Sequence, residues 1–318
     1  MFCLIVVMLA PVTYAVERFF PVAKVKPGME GEALTVFHGT TIDKFKVKVL
    51  AIVNSDYDGE KLILVRLEGK EIQKSGGLAA GMSGSPVYIK GRLVGAISYG
   101  FENADPFLAY VTPIQSMLKL LDNANKEEYF TYYRKRKKLL PVATPVLISG
   151  TGHRGFLRLA RSFRELGLQA VYLPEAAGAV PPSGKRVTFK PGSAVAVQLV
   201  NGDYRVAALG TVTMVDGKHF LAFGHSFTNR GKVDFLAYQA QIHHIVKSPV
   251  LPIKLGSSLY PVGRIVEDRH YGIAGRLDEF PALIDVAINI RDVERDRLLH
   301  SDFQVINNEQ FYSKLVTE

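Results

Sequence analysis

The chain has 318 residues, of which 47% are hydrophobic and 22% are charged, and it carries a net charge of +9. This ordinary globular composition excludes disorder, collagen and coiled coil as descriptions of the whole chain, and the length predicts two domains or one large domain. The positive charge lies below the density of a dedicated nucleic-acid binder, so we expect no nucleic-acid partner. The 28 Gly and 16 Pro residues favour a turn-rich, mainly β or mixed fold.

Residues 1–15 are typical of a secretory signal peptide. The uncharged apolar run 2–10 is too short to span a bilayer, and Thr13 and Ala15 place small residues before a cleavage site. The alternative is a buried N-terminal strand. We therefore expect a secreted or extracytoplasmic protein of the periplasm or cell envelope. Because Cys3 is the single cysteine, the mature chain would have no disulfide, thiol nucleophile or Cys zinc site.

Residues 16–122 predict a β-rich unit that we expect to form the first of two barrel halves. Alternating or continuous apolar runs bounded by turn residues predict its strands. Thr112-Pro113 is a favourable start for a short helix that ends near Leu121. The predicted strands cover 34–37, 45–53 and 62–65, followed by a hairpin over 87–98.

Residues 123–190 predict a linker with a small α/β element. Five consecutive positive charges, Arg134–Lys138, indicate a solvated linker or helix end, and the alternative is peripheral contact with an anionic membrane surface. A strand, an amphipathic helix and a strand follow over 146–173. Residues 191–318 predict the second β-rich half, with strands at 194–200, 206–214, 219–223 and 283–290.

The segment Gly81-Met82-Ser83-Gly84-Ser85-Pro86 is the sharpest chemical signal in the sequence. An α/β-hydrolase nucleophile elbow needs G-x-S-x-G followed by a helix, whereas Ser85 occupies the last glycine position and a hairpin follows. The trypsin-like pattern G-x-S-G followed by a hairpin fits. In that pattern the N–H groups of Gly81 and Ser83 bind the oxyanion while Ser83 Oγ attacks. A Gly/Ser turn between strands is the alternative interpretation.

A serine nucleophile needs a base, and His225 is the strongest of the eight histidines. It follows a strong strand and a glycine that leaves room for close approach. His38, which follows a strand in the serine half, is the alternative base. Nothing in the histidine spacing assembles a metal site, since the neighbours His243 and His244 would point in opposite directions on a strand. We therefore expect no metal and no cofactor.

Three blocks of the chain resemble the SpoIVB peptidase family, which comprises serine peptidases grouped with the chymotrypsin-like enzymes. The resemblance implies a mainly β fold of two chymotrypsin-like barrel halves, with the site between them and Ser83 and His225 as nucleophile and base. The serine block precedes the histidine block here, which is the reverse of the family's order. The matching blocks are 75–86 with 91–96, 209–213 with 223–225, and 261–268 with 272–275.

The acid of the triad is the point at which the sequence departs from the family. Glu68 stands at the family's aspartate position, and Asp234, near His225 in sequence, is the other candidate. We expect the strand that follows the nucleophile hairpin to line the cleft and bind the substrate backbone through Ser98, Tyr99 and Gly100.

These residues predict a serine endopeptidase that acts on a protein or peptide substrate. The substituted acid and the permuted order motivate an alternative function, that of a non-catalytic peptide-binding or scaffolding protein of the cell envelope. Side-chain preference and oligomeric state are not encoded in any motif of the sequence.

Overall fold

A computed structural model describes residues 18–55, 60–101, 104–122, 140–141, 144–165, 168–173, 188–248 and 252–308. The predicted signal peptide and the basic run Arg134–Lys138 lie outside these residues. Strands dominate the described chain, and the prediction of a mainly β fold with two barrel halves is confirmed.

Six antiparallel strands of the N-terminal half form a closed ring, in the order β4-β1-β2-β3-β6-β5 and back to β4. Their side chains alternate between the interior and the surface, as in β2, where Phe45, Val47 and Val49 are buried between exposed lysines. The strands are β1 (Glu30–Val36), β2 (Ile42–Asn54), β3 (Lys61–Glu68), β4 (Pro86–Ile89), β5 (Arg92–Gly100) and β6 (Leu108–Pro113).

Short elements complete this first barrel. A 3₁₀ helix spans Val22–Lys24, and helix α1 (Lys70–Ser75) connects β3 to the segment that leads to Ser83. Helix α2 (Ile114–Asp122) follows the Thr112-Pro113 start, as the sequence predicts. A two-residue strand, β7 (Leu140–Pro141), pairs with the end of β5.

The second half contains a ten-stranded sheet, and six of its strands, β10-β13-β14-β15-β12-β11, pair in a ring that closes from β11 back to β10. Helix α3 (His153–Glu165) buries Leu159 and Phe163. The strands are β8 (Pro145–Ser149), β9 (Gln169–Tyr172), β10 (Ala194–Gly202), β11 (Arg205–Asp216), β12 (His219–Ala222), β13 (Gly231–Val246), β14 (Ile253–Arg269), β15 (Gly272–Leu277), β16 (Leu283–Asp292) and β17 (Arg297–Ile306).

The long strands β13 and β14 were not anticipated by the sequence patterns. Their register shifts repeatedly, as between Lys232 and Phe235, and β14 contains Pro261 in mid-strand. Bulges break the two-residue alternation on which strand prediction depends, and an internal proline argues against a strand. These strands supply Lys254 and Asp268.

The two halves are joined by direct hydrogen bonds between their backbones. The Thr211 N–H of β11 donates to the Ser83 carbonyl oxygen at 2.8 Å, and the Lys254 N–H of β14 donates to the Ala80 carbonyl oxygen at 3.0 Å. The serine segment therefore lies at the seam between the barrels. None of the described helices combines the length and apolar character needed to cross a membrane.

Candidate active site

The serine segment forms two consecutive tight turns. Met82 N–H donates to the Ala79 carbonyl oxygen at 2.9 Å, and Ser85 N–H donates to the Met82 carbonyl oxygen at 3.0 Å. Gly81 has a φ of +92°, a left-handed conformation that favours glycine. These turns explain why the predicted oxyanion loop needs its glycines.

The amide N–H groups of Gly81 and Ser83 are the donors that the trypsin-like pattern assigns to the oxyanion. Among the described residues, neither group donates to an acceptor. In a trans peptide the carbonyl and the following N–H point in opposite directions. In the Ala80–Gly81 peptide, the Ala80 carbonyl oxygen accepts a hydrogen bond from Lys254 N–H. In the Met82–Ser83 peptide, the Met82 carbonyl oxygen accepts hydrogen bonds from Ser85 N–H and, at 2.6 Å, from Ser85 Oγ. The direction of both donors is therefore fixed.

Strand β11 holds the other carbonyls of the loop. Thr211 Oγ1 donates to the Gly81 carbonyl oxygen at 3.1 Å, and Thr213 Oγ1 donates to the Gly84 carbonyl oxygen at 2.8 Å. Gly84 has a φ of +91°, and a Cβ at this position would overlap the Thr211 carbonyl oxygen and the Phe223 nitrogen. Only glycine permits this close approach of the loop to the second barrel.

His225 follows a strained turn at the end of β12. Phe223 has a φ of +70°, and Gly224 N–H donates across it to the Ala222 carbonyl oxygen at 2.9 Å. Such a three-residue turn around a residue with positive φ is rare and strained. The turn ends β12 and changes the direction of the chain, which places His225 at the seam between the barrels.

The serine and histidine turns share a neighbour on β5. Gly84 N–H donates to the Ile97 carbonyl oxygen at 2.7 Å, and a Cβ built on Gly224 would lie 3.0 Å from the same oxygen. Ser83 and His225, the residues beside these glycines, therefore belong to turns from opposite halves of the chain that approach the same carbonyl oxygen. Both side chains are buried, with exposed fractions of 0% and 2%. Ser83 Oγ makes no hydrogen bond with any of the described residues.

The imidazole of His225 is oriented by a peptide group. Its Nδ1 lies 2.8 Å from the Ser226 carbonyl oxygen, a contact that favours the tautomer with the proton on Nδ1 and leaves Nε2 as the basic nitrogen. The N–H of the same peptide, on Phe227, donates to Asp268 Oδ1 at 2.8 Å. A carboxylate is therefore linked to the imidazole through one peptide.

Asp268 anchors the whole turn after His225. Its Oδ2 accepts hydrogen bonds from Thr228 N–H at 2.7 Å, Thr228 Oγ1 at 2.6 Å and Asn229 N–H at 3.0 Å. Burial raises the pKa of the Asp268 carboxyl, and the hydrogen bonds from residues 227–229 oppose that rise. Four donors converging on two oxygens match the ionised carboxylate.

The side chains of the two acids proposed from the sequence are both accessible to solvent. Glu68 is exposed at the end of β3. The carboxylate of Asp234 on β13 accepts a hydrogen bond from Arg264 at 3.3 Å. Their roles in a triad stay predictions. The alternative base His38 is exposed.

The strand expected to bind substrate lies beside His225. The rings of Tyr99 and His225 have centroids 6.1 Å apart. Ser98 is buried, and its Oγ lies 2.8 Å from Thr112 Oγ1, which also lies 2.8 Å from the Gly224 carbonyl oxygen. Gly100 pairs with Leu140, so β7 occupies this part of the strand edge.

Lys254 is a fully buried lysine that packs against the serine segment. A Cβ built on Gly81 would lie 3.2 Å from both Cβ and Cδ of Lys254. Its Nζ donates to Thr35 Oγ1 at 2.6 Å, and Thr35 Oγ1 lies 3.4 Å from Thr211 Oγ1. Burial lowers the pKa of the Lys254 amino group from 10.5 to about 7.

The lowered pKa of Lys254 predicts a distinct pH dependence of stability. Between pH 7 and 10.5 the unfolded chain binds a proton that the folded protein has released, so the free energy of unfolding rises with pH through this window. Lys254→Met removes this dependence. We expect the stability of wild type relative to Lys254→Met to increase by about 2 to 3 kcal/mol from pH 6 to pH 9.

Denaturant unfolding at several pH values measures this difference. Lys61→Met, at an exposed position of β3, provides the baseline for replacing a lysine. Parallel stability curves for wild type and Lys254→Met would show that Lys254 is not a neutral amine in the folded protein at pH 9.

The sequence contained signals for some of these residues and none for others. Thr211, Thr213 and Asp268 lie in the blocks that carry the resemblance, although no role followed from the pattern. Lys254 lies in an apolar strand, where a single lysine ordinarily indicates a solvent-facing position. The described residues contain no group of three or more His, Cys, Asp or Glu side chains that could hold a metal ion.

Comparison with known proteins confirms the family resemblance for the first part of the chain. Residues 11–118 match the family model described as SpoIVB peptidase S55. The matched range contains Ser83 and ends within α2. Neither the curated proteins nor the solved structures include a match to this chain. The two later blocks of resemblance and the permuted order lie beyond the matched range and stay predictions.

Proposed function

We propose that this chain, which carries a SpoIVB peptidase S55 segment at residues 11–118, is an extracytoplasmic serine endopeptidase with Ser83 as its nucleophile. The observation that carries the proposal is the pair of directed N–H donors on Gly81 and Ser83, placed on the turn that brings Ser83 to the same β5 carbonyl as the turn before His225. Directed donors of this kind provide the largest single contribution to catalysis in acyl transfer.

The reaction follows from the roles of these groups. Ser83 Oγ attacks the carbonyl carbon of the substrate peptide, and His225 Nε2 accepts the Oγ proton as the bond forms. The negative charge on the carbonyl oxygen is received by the N–H groups of Gly81 and Ser83. His225 then returns the proton to the leaving amine, and water attacks the acyl enzyme by the same route.

The third group of the triad acts through a peptide in this proposal. The Ser226 carbonyl accepts the Nδ1 proton of His225, while Asp268 polarises the peptide from its N–H side. A negative charge in this position stabilises the imidazolium that forms during attack. Glu68 and Asp234 are the alternative acids that the sequence offers.

The substrate backbone would extend the first barrel as an added strand. In this proposal it pairs with Tyr99 and Gly100 in place of β7, which brings the scissile bond beside His225. Because β7 pairs with Tyr99 and Gly100, a substrate strand can pair there only if β7 leaves this edge. The partner is a protein or peptide substrate, and peripheral membrane contact through Arg134–Lys138 stays the alternative to a solvated linker.

One observation favours a second candidate, a non-catalytic peptide-binding protein of the envelope. Ser83 Oγ is buried and forms no hydrogen bond among the described residues, so the attacking geometry is not assembled in this arrangement. In free serine peptidases, however, the catalytic hydrogen bond is often long and tightens when substrate binds.

Treatment with a fluorophosphonate, followed by peptide mass spectrometry, separates the two candidates. The peptidase is expected to form one covalent adduct, and that adduct should lie on Ser83. Heat-denatured protein is the control for nonspecific reaction. An adduct on another serine, or a folded protein without any adduct, would contradict the proposed function and favour the binding protein.

A further inference from the structure

Two peptides flank Gly81, and the backbone of Lys254 sets the orientation of the first, the Ala80–Gly81 peptide. The start of β14 runs beside the serine segment, where Ala80 N–H donates to the Pro252 carbonyl oxygen at 2.7 Å and Lys254 N–H donates to the Ala80 carbonyl oxygen at 3.0 Å. Because a trans peptide opposes its carbonyl and its N–H, this bond directs the Gly81 N–H away from β14.

The side chain of Lys254 sets the orientation of the second, the Gly81–Met82 peptide, through two hydroxyl groups. Its Nζ donates to Thr35 Oγ1 at 2.6 Å. Thr35 and Thr211 are in hydroxyl contact at 3.4 Å, and Thr211 Oγ1 donates to the Gly81 carbonyl oxygen at 3.1 Å. An amino group that donates at the start of this chain sets its direction, so each hydroxyl proton points onward to the Gly81 carbonyl.

We propose that Lys254 is a positioning residue of the oxyanion-binding loop, which it holds through its own N–H and through the hydroxyl chain of Thr35 and Thr211. The inference rests on the proposed function, because it assigns the oxyanion to Gly81 N–H. Gly81 has a left-handed φ and no side chain, so its flanking peptides would rotate readily if they were not held on both sides.

Lys254 is buried among uncharged groups, an environment that is unfavourable for an amino group. The groups placed against it are Thr35 from β1, Gly81 from the serine segment and Ile245 from β13, none of which carries a charge. The ion pairs of the described residues do not include Lys254. A buried amino group without a counter-ion is costly, and a methionine would fill the same space. The hydrogen bonds that Lys254 directs to the loop offset part of this cost.

The rate of fluorophosphonate reaction at Ser83 tests the inference, since phosphonylation places an oxygen in the oxyanion site. We expect Lys254→Met and Thr211→Val each to slow the second-order rate constant about 10- to 100-fold. The double variant should be no slower than the slower single variant, because both changes break one chain of hydrogen bonds.

Thr213→Val is the matched comparison. It removes a buried hydroxyl from the same strand and the same loop, but one that holds the Gly84 carbonyl rather than a peptide beside Gly81. We expect Thr213→Val to slow labelling about threefold, and its effect should multiply with that of Lys254→Met. If the substitutions only loosened the loop in general, Lys254→Met would combine with Thr211→Val in the same way as with Thr213→Val.

Labelling of Lys254→Met at the wild-type rate would overturn the inference and leave the proposed function standing. The inference would also be overturned if the rate effects of Lys254→Met and Thr211→Val multiplied in the double variant. If wild type is not labelled at Ser83, the proposed function fails, and amide hydrogen exchange of residues 78–86 decides the positioning role. Faster exchange at Gly81 in Lys254→Met than in Thr213→Val supports the inference, and equal exchange overturns it.

Discussion

Ser83→Ala is expected to abolish fluorophosphonate labelling, and His225→Ala is expected to slow it by at least about 10³-fold. In the proposed mechanism Ser83 Oγ forms the bond to phosphorus, so no adduct is expected without it. His225 would remove the Oγ proton, and without a base at neutral pH the hydroxyl is a weak nucleophile. Time courses of labelling at several probe concentrations give the second-order rate constants.

Ser116 and His300 provide control variants for this experiment, because their hydrogen-bond partners lie outside the serine segment and the His225 turn. Ser116 is buried on α2 and its Oγ donates to Glu60, while His300 is exposed on β17 and lies 2.9 Å from Asp302. Ser116→Ala and His300→Ala should be labelled at the wild-type rate. Unchanged labelling of Ser83→Ala would show that another residue reacts, and unchanged labelling of His225→Ala would remove the histidine from the mechanism.

The central features of the site were visible in the sequence because they are local. The pattern around Ser83 specifies two tight turns through its glycines, and the strand before His225 ends at a glycine. Both turns are present in the structure with the positive φ values that such turns require. The family resemblance is confirmed for the part of the chain that contains Ser83.

The supporting groups could not be predicted, because their roles depend on contacts between distant segments. Lys254 is 173 positions after Gly81 in the sequence, yet its side chain packs directly on Gly81. Asp268 reaches the His225 turn across strands whose bulges hide the two-residue alternation. A sequence pattern records side-chain type and spacing, whereas the partner of a buried charge is set by which strands become neighbours in the fold.

Chain order has little influence on a site of this construction. The serine turn comes from the first barrel and the histidine turn from the second, and they meet at the Ile97 carbonyl of β5. Exchanging the order of the two halves along the chain would leave that meeting point unchanged. The order in which the serine and histidine blocks appear is therefore compatible with the proposed activity.

Asp268→Ala should lower the free energy of unfolding by about 3 kcal/mol or more and slow labelling strongly. The substitution leaves four hydrogen-bond donors of residues 227–229 without their acceptor, and the buried Phe227 N–H has no access to water. The turn that carries the Ser226 carbonyl would loosen, and with it the orientation of His225. Denaturant unfolding gives the stability, and labelling is measured where each variant remains folded.

Asp268→Asn separates the charge of Asp268 from its shape. A carboxylate linked to His225 through the Ser226–Phe227 peptide favours the imidazolium, so its loss should move the pH of half-maximal labelling to lower pH, besides slowing the reaction. A purely structural role would lower the rate without moving this midpoint. Asp234→Asn and Glu68→Gln are the matched changes, and they should leave the midpoint in place. A shift in either of these variants, with none in Asp268→Asn, would assign the acid to the residue predicted from sequence and remove Asp268 from the triad.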